Sequence, residues 1–343
     1  EICACLVGSE MCIRDRPQRH PLRKQADLLP RPDSVRAEKV PGRKQINGDI
    51  KTSMKIPELF KNGHTVFSFE VFPPKKDADV SVIYDTLDQL GDLHPDFISV
   101  TYGAGGSAAG ATTTELVRHI KENLGTESIA HLTCVNSTHA DIDEKIKEFE
   151  ANGIENVLAL RGDINPNFPP KNEFLHASDL IEYMKPRSNL SFSGGCYPEV
   201  HPEASSMVED ILHLKKKVDA GASHLISQLF FDNSSFIEFL EKARIAGIDV
   251  PIEAGIMPCV NAKSVQRMVS MCGASLPVKF TKMINRYGDN PEAMRDAGIA
   301  YAVDQIIDLV ARGVDGIHLY TMNNPYVARK ITESIEKVIR CDK

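Results

Sequence analysis

Thr-Val-Phe-Ser-Phe-Glu-Val-Phe-Pro-Pro, residues 65–74, reads as a β-strand that stops at a Pro-Pro pair, because β-branched and aromatic residues favour strands and proline cannot continue a ladder. It sets one carboxylate, Glu70, among apolar and aromatic neighbours. A carboxylate in such a setting loses hydration, its charged form is disfavoured and its pKa rises, which is how proteins prepare a general acid for neutral pH. Glu70 is therefore the first catalytic candidate, set against a structural Glu paired with a Lys or Arg across the fold.

Working outward, seven similar runs follow, separated by helical text. With the first, Val66 to Phe72, the runs are Phe97 to Gly103, Ile129 to Cys134, Asn156 to Arg161, Leu190 to Tyr197, His224 to Phe231, Ile252 to Met257 and Gly316 to Thr321. The spacing of the early runs leaves room for a strand, a loop, a helix and a return loop, and the longer gap before the last must hold extra helices. Between runs, Ile211, Leu214 and Val218 share one helical face and Gly221 ends the pattern, as Gly153, Gly247 and Gly313 do elsewhere. Eight strand-helix units predict an α/β fold, a (β/α)8 TIM barrel with extra helices between strands seven and eight, with a doubly wound open sheet as runner-up.

A barrel places its active site at the C-terminal ends of its strands. The unusual polar residues fall there: Glu70, Thr101-Tyr-Gly, His131-Leu-Thr-Cys, Arg161-Gly162-Asp163, Tyr197-Pro-Glu-Val-His-Pro-Glu, Gln228 to Asp232, and Tyr320-Thr-Met-Asn. Strand seven ends in Gly255-Ile-Met-Pro with no ionisable group. Strand ends meet solvent and attract polar residues in any case, but seven of eight with mixed Glu, Asp, His, Tyr and Gln argue for a site.

Composition sets the outer bounds. The 343 residues, 42% apolar and 25% charged, describe a globular chain with no apolar run long enough to span a membrane. Eight Cys without a Cys-x-x-Cys pair fit free thiols in a reducing cytoplasm. A net charge of −7 gives no pull toward nucleic acid or anionic membranes. Residues 1–53 differ: they carry 11 Lys/Arg against 7 Asp/Glu, five prolines and no apolar periodicity, so they are expected to be disordered. Leu6 to Arg16 resembles translated sequencing-adapter text, and the expectation is a non-native leader with the native chain starting at Met54; a basic arm for RNA or organelle targeting is the alternative.

The chemistry is narrowed by elimination. There is no P-loop, and Gly103-Ala-Gly-Gly lacks the spacing and acid of a dinucleotide fingerprint, though its backbone amides suit a phosphate. No Gly-x-Ser-x-Gly elbow occurs, and His131 and Cys134 face opposite sides of their strand. Cys134, Cys196 and Cys259 near the ends of strands three, five and seven could converge on zinc as in thiol methyltransferase barrels, which keeps that reading as an alternative. What remains is a wide cleft with one general acid, aromatic platforms and hydrogen-bonding groups, suited to flat heterocycles.

Phe-Ser-Phe-Glu-Val-Phe-Pro-Pro, Ser99-Val-Thr-Tyr-Gly-Ala, His131-Leu-Thr-Cys, Ala159-Leu-Arg-Gly-Asp, Tyr197-Pro-Glu-Val-His-Pro-Glu, Lys217-Val-Asp-Ala-Gly-Ala and Gln228 with Phe230-Phe231-Asp232 together resemble the methylenetetrahydrofolate reductase family, bacterial type, over about Met54 to Ile339. The resemblance implies that residues 54–343 form one flavin-binding catalytic barrel that reduces 5,10-methylenetetrahydrofolate to 5-methyltetrahydrofolate. It implies FAD, with FMN as an alternative, NADH or NADPH as donor, and a cytoplasmic homo-oligomer. By the same resemblance Glu70 is the general acid, and Asp163 contacts the pterin beside the flavin, against a bland role as a helix N-cap. Thr101, His131, Arg161, Gly162, Asp163, Tyr197, His201, Asp210 and Lys217 match flavin-contacting positions, while Gln228 and Tyr320 join Glu70 and Asp163 on the folate. Only one of Lys215, Lys216 and Lys217 is expected to reach the barrel mouth. Two departures stand out: Ala262 where some members carry Phe, and Asn324 where the family has Arg. They open the reading to a different electron donor, such as a partner flavoprotein or ferredoxin system. A non-catalytic folate or flavin binder is the remaining alternative.

Overall fold

The structure is a computed structural model that describes residues 54–74, 79–102, 112–164 and 169–341. The leader expected over residues 1–53 and the glycine-rich turn from Gly103 lie outside these residues. Eight strands form: β1 (Val66–Val71), β2 (Phe97–Val100), β3 (Glu127–Thr133), β4 (Asn156–Leu160), β5 (Ser191–Cys196), β6 (Ala222–Ser227), β7 (Ile252–Ile256) and β8 (Gly316–Tyr320). Each pairs in parallel with the next, and β8 returns to β1, closing the barrel and excluding the open doubly wound sheet.

The crossovers are helical, as the apolar periodicity requires: α1 (Ile56–Leu59) precedes β1, and α2 (Ser81–Gly91), α3 (Thr113–His119), α4 (His139–Ala151), α5 (Ala177–Met184), α6 (Met207–Ala220) and α7 (Asn233–Ile245) separate the first seven strands. The long gap before β8 holds α8 (Ala262–Cys272), α9 (Val278–Tyr287) and α10 (Pro291–Ala311), and α11 (Pro325–Ile339) follows β8. Local chemistry fixes the ends. Thr112 with Glu115 and Thr138 with Asp141 form reciprocal capping boxes on α3 and α4, satisfying amides that the first helical turn leaves unpaired. Gly153, Gly247 and Gly313 take φ of +65°, +75° and +78° after α4, α7 and α10, a left-handed turn that a Cβ disfavours.

Alternation along each strand decides what faces where. Phe67, Phe69 and Val71 of β1 turn outward into the apolar layer beneath the helices, together with Ile98, Val100, Ala130, Leu132, Ile317 and Leu319. The intervening Ser68 and Glu70 belong to the interior, and both are buried. The lower end of the barrel is closed by Ile56, Leu59, Val66, Phe97, Ile129 and Leu158, with Asn156 accepting the Ile56 N–H at 3.1 Å.

β6 departs most from its expected span, starting at Ala222 and leaving the ladder after Ser227 instead of running to Phe231. There the Gln228 side chain accepts the Leu229 N–H at 2.8 Å, and the two aromatics diverge. Phe230 stacks on Phe236 at 4.9 Å, whereas Phe231 stacks on Phe280 of α9 at 4.4 Å. The extra helices therefore buttress the upper end of β6 to β8 through a second apolar cluster. No helix among the described residues is long and apolar enough to cross a membrane.

Gly255 permits the closest approach in the barrel wall: a Cβ there would sit 2.2 Å from the Ser227 carbonyl and 2.9 Å from the Tyr320 hydroxyl. Gly255→Ala is accordingly expected to cost at least about 2 kcal/mol through overpacking against backbone. Urea unfolding measures this, and an unchanged midpoint would contradict the packing described.

Candidate active site

β1 carries Glu70 to the upper interior, where it is 5% exposed. Its Oε2 lies 3.6 Å from His131 Nε2 on β3 and 3.5 Å from His318 Nε2 on β8. Burial pushes its pKa from 4.5 up to about 7, with His131 pulling weakly the other way. His131 is fully buried, neither ring nitrogen makes a hydrogen bond, and desolvation holds its pKa down to about 4. A neutral imidazole faces a carboxyl that is half-protonated near neutral pH, which is the arrangement a proton donor needs.

On the opposite strands, a cleft of about 230 Å³ opens beside β4 to β6. Arg161, Lys216, Lys217, His201 and Asp210 line it, with Gly195 and Tyr197 in its wall. Lys217 folds back to donate to the Gly195 carbonyl at 2.7 Å. It lies flat along β5 because residue 194 is glycine, where a Cβ would come 2.6 Å from Lys217 Cδ. Of the three consecutive lysines, Lys216 and Lys217 both reach the cleft, while Lys215 pairs with Asp219; two, not the expected one, face the site. Arg161 forms a two-pronged pair with Glu203 at 2.5 and 2.8 Å, and that guanidinium holds the Glu203 carboxyl below its ordinary range.

The loop from Tyr197 to Glu203 is shaped by its own polar groups. The His201 N–H donates to Asp210 at 2.8 Å, and the Glu203 N–H donates to His201 Nδ1 at 3.1 Å. Burial raises the Asp210 pKa, opposed by that amide. Val200 takes φ of +72°, a strained conformation for a β-branched residue, of the kind found at functional loops. The Tyr197 hydroxyl is buried without a hydrogen-bond partner among the described residues, and its ring meets His201 edge-on at 4.6 Å. An orphaned hydroxyl beside a cationic cleft fits a ligand that brings both acceptors and negative charge, as a flavin with its phosphates does.

The remaining expected residues take these places. Thr101 is buried just above β2, its carbonyl accepting from Thr113 Oγ1 at 2.9 Å. Gly162 turns the chain after β4 at φ of +86°, where a Cβ would collide with Thr133 Cβ at 2.9 Å. Asp163 follows it half-buried, and the first helix described after it, α5, begins behind His176. Gln228 is buried above β6. Tyr320 donates its hydroxyl to the Ser227 carbonyl at 2.7 Å, so that group is already engaged within the barrel.

Sequence reading missed a second group. Glu253 on β7, His224 on β6, His318 on β8 and Ser68 on β1 are all fully buried inside the barrel. The signal was the one that singled out Glu70: a Glu in Ile-Glu-Ala-Gly, and a His in Ser-His-Leu-Ile and in Ile-His-Leu-Tyr, each alone in an apolar strand. For the zinc alternative, among the described residues no three His, Cys, Asp or Glu side chains are arranged to hold a metal; burial pushes the Cys196 and Cys259 thiols up.

Residues 55–336 match the family described as methylenetetrahydrofolate reductase. The 5,10-methylenetetrahydrofolate reductase of Escherichia coli is 36% identical over 273 residues, covering 80% of this chain and 91% of that protein. The chain belongs to the methylenetetrahydrofolate reductase family. Methylenetetrahydrofolate reductase (NADH) 1 of Arabidopsis thaliana is also 36% identical, over 294 residues, but this chain spans only 49% of that protein. Among solved structures, a Clostridium thermocellum protein that binds two copies of 5-methyl-5,6,7,8-tetrahydrofolic acid aligns with a TM-score of 0.58 at 15% identity, over 80% of this chain and 98% of that one; it shares the barrel fold. The two departures from the family pattern have local roles here: Ala262 opens α8, and Asn324 caps α11 by accepting the Val327 N–H at 3.2 Å.

The Glu70 carboxyl also couples stability to pH. Its folded pKa near 7 exceeds the ordinary 4.5, so the folded state keeps a proton that the unfolded chain releases. Its contribution to stability is whole below the unfolded value and is lost as pH rises through the folded one. Glu70→Gln cannot ionise, so it should raise the unfolding midpoint relative to wild type more at about pH 8 than at about pH 5, by up to roughly 3 kcal/mol. Equal offsets at both pH values would mean an ordinary carboxylate.

Proposed function

We propose that the protein is a flavin-dependent reductase of 5,10-methylenetetrahydrofolate, yielding 5-methyltetrahydrofolate, with Glu70 as its general acid. The observation that carries this reading is the Glu70 carboxyl itself, buried against two neutral imidazoles with a pKa near 7, in a chain whose family reduces this folate. Opening the five-membered ring of the substrate requires a proton on its departing nitrogen, which leaves an electrophilic iminium carbon. A carboxyl that is neutral at working pH delivers that proton; an ordinary one, ionised since pH 4.5, does not.

Arg161, Lys216 and Lys217 would hold the phosphates of the flavin, FAD in this reading with FMN as the smaller option, and Tyr197 with the Gly194-Gly195 wall would frame its body. When bound, the flavin supplies the hydride for the iminium carbon. The protein's own residues supply position and charge. Asp163 places a carboxylate beside the developing cation, and Gln228 offers a primary amide that donates to and accepts from a pterin edge. Burial of Glu70, His131 and His318 keeps water from quenching the acid. NADH or NADPH is the donor in this reading, NADH being the one named for the Arabidopsis relative. A cytoplasmic homo-oligomer follows from the family resemblance.

In this scheme the acid and the flavin are separable. The purified protein should show a flavin band that NADH bleaches without oxygen and methylenetetrahydrofolate restores. Glu70→Gln should keep that band and its bleaching by NADH, while reoxidation by the folate slows about 10²- to 10⁴-fold, the usual worth of a positioned acid. A Glu70→Gln protein that reduces folate at the wild-type rate would overturn the assignment.

A further inference from the structure

Glu70 and Glu253 are the two carboxyls sealed inside the barrel among the described residues, and a line of polar side chains joins them. Ser193 Oγ lies 3.0 Å from His224 Nδ1, and His224 Nε2 lies 3.0 Å from Glu253 Oε2. Ser68 Oγ donates to Glu253 Oε1 at 2.9 Å and lies 2.7 Å from His318 Nδ1. The other His318 nitrogen faces Glu70 Oε2 and Ser99 Oγ, each at 3.5 Å. Six strands contribute to the line, and Glu253, His224, Ser68 and His318 are each 0% exposed. An all-apolar filling would pack this volume without desolvation cost, so a buried chain of this length invites a functional account.

We propose that Glu253 is a positioning residue for the reduction, a proton reserve that reloads Glu70 through Ser68 and His318; the proposal rests on the reading of Glu70 as the acid. The transfer is a single displacement along two hydrogen bonds, Glu253 to Ser68 and Ser68 to His318, and across the 3.5 Å approach of His318 Nε2 to Glu70. Glu253 Oε1–H passes its proton to Ser68 Oγ, the Ser68 hydroxyl proton passes to His318 Nδ1, and the His318 Nε2 proton passes to Glu70 Oε2. Glu253 ends ionised and Glu70 protonated, with Ser68 and His318 neutral throughout and no proton gained or lost.

The charges around the line set its working range. Glu253 is faced by His224 from β6, His318 from β8 and, below, the carboxylates Asp96 and Asp315, and burial with these anions raises its pKa to about 8. Glu70 is faced by His131, His318 and the Tyr320 phenol. Desolvation keeps His224 and His318 neutral, with pKa near 3 and 4, so neither traps the proton in transit. The closed lower end, with Phe60 and Phe97 packed 5.1 and 5.9 Å from the His224 ring, denies solvent a second route. Between the two carboxyl pKa values, Glu70 is mostly ionised while Glu253 still holds its proton. A bound substrate covering Glu70 can then draw on the reserve without dissociating.

The test is the pH dependence of flavin reoxidation by methylenetetrahydrofolate in the prereduced holoenzyme, for wild type, Glu253→Gln and Ser68→Ala. Ser68→Ala keeps both carboxyls and interrupts the line, and it carries the test alone if Glu253→Gln fails to fold. The alkaline limb should move from near pH 8 in wild type to near pH 7 in both variants, with flavin reduction by NADH keeping its wild-type pH profile. Infrared titration of the protein should show two carboxylic-acid C=O bands at neutral pH, one absent from Glu70→Gln and the other from Glu253→Gln. Unshifted limbs in both variants beside an inactive Glu70→Gln would overturn the reserve and leave the acid intact. Folate reduction by Glu70→Gln at the wild-type rate would overturn the acid and the reserve together.

Discussion

Closure of the ladder between β1 and β8 is the constraint on which the rest of the molecule depends. Once Val66 to Glu70 pair residue by residue with Gly316 to Tyr320, no strand can slip by one position without turning its apolar set inward. That parity places Phe67, Phe69 and Val71 under the helices and therefore commits Ser68 and Glu70 to the interior. The same rule applied to β3, β6, β7 and β8 brings His131, His224, Glu253 and His318 into one column. The site is thus a by-product of register: residues distant in sequence meet because each occupies the inward phase of its own strand.

Much of this was legible in the sequence, and the physical reason is that parallel strands buried on both faces must be written as short apolar runs. Eight such runs located eight strands, and the polar interruption at Glu70 marked a buried acid. Glu253 escaped notice because it sits near the N-terminal end of β7, whereas barrel chemistry is expected at the C-terminal strand ends. His224 and His318 look like ordinary strand histidines until closure sets them against Glu253 and Ser68, a relation between residues up to 250 positions apart. The early exit of β6 was hidden for a related reason. Leu-Phe-Phe continues the strand-like composition, and only the presence of α9 with Phe280 diverts Phe231 from the ladder.

The two halves of the site use opposite electrostatics. Among the described residues no lysine or arginine acts on Glu70 or Glu253, so burial raises both carboxyls. Around β4 to β6 the cleft is cationic, and its carboxylate partner Glu203 is held below its ordinary range. One barrel therefore keeps an acid and an anion site apart by assigning them to different strands. A lysine directed toward Glu70 would convert the donor into a permanent carboxylate.

The pairing of Arg161 with Glu203 gives the cationic cleft a resident counter-ion carried by the chain itself. An anionic ligand arriving there does not meet a bare guanidinium; it takes part in an exchange in which Glu203 must let go. The driving force is then the difference between two anions for one fork, and the released Glu203 regains hydration as the incoming group loses it. Such a site discriminates by geometry more than by charge. A ligand that reproduces the two-pronged contact displaces Glu203, while a simple monovalent anion offers Arg161 nothing that it does not already have.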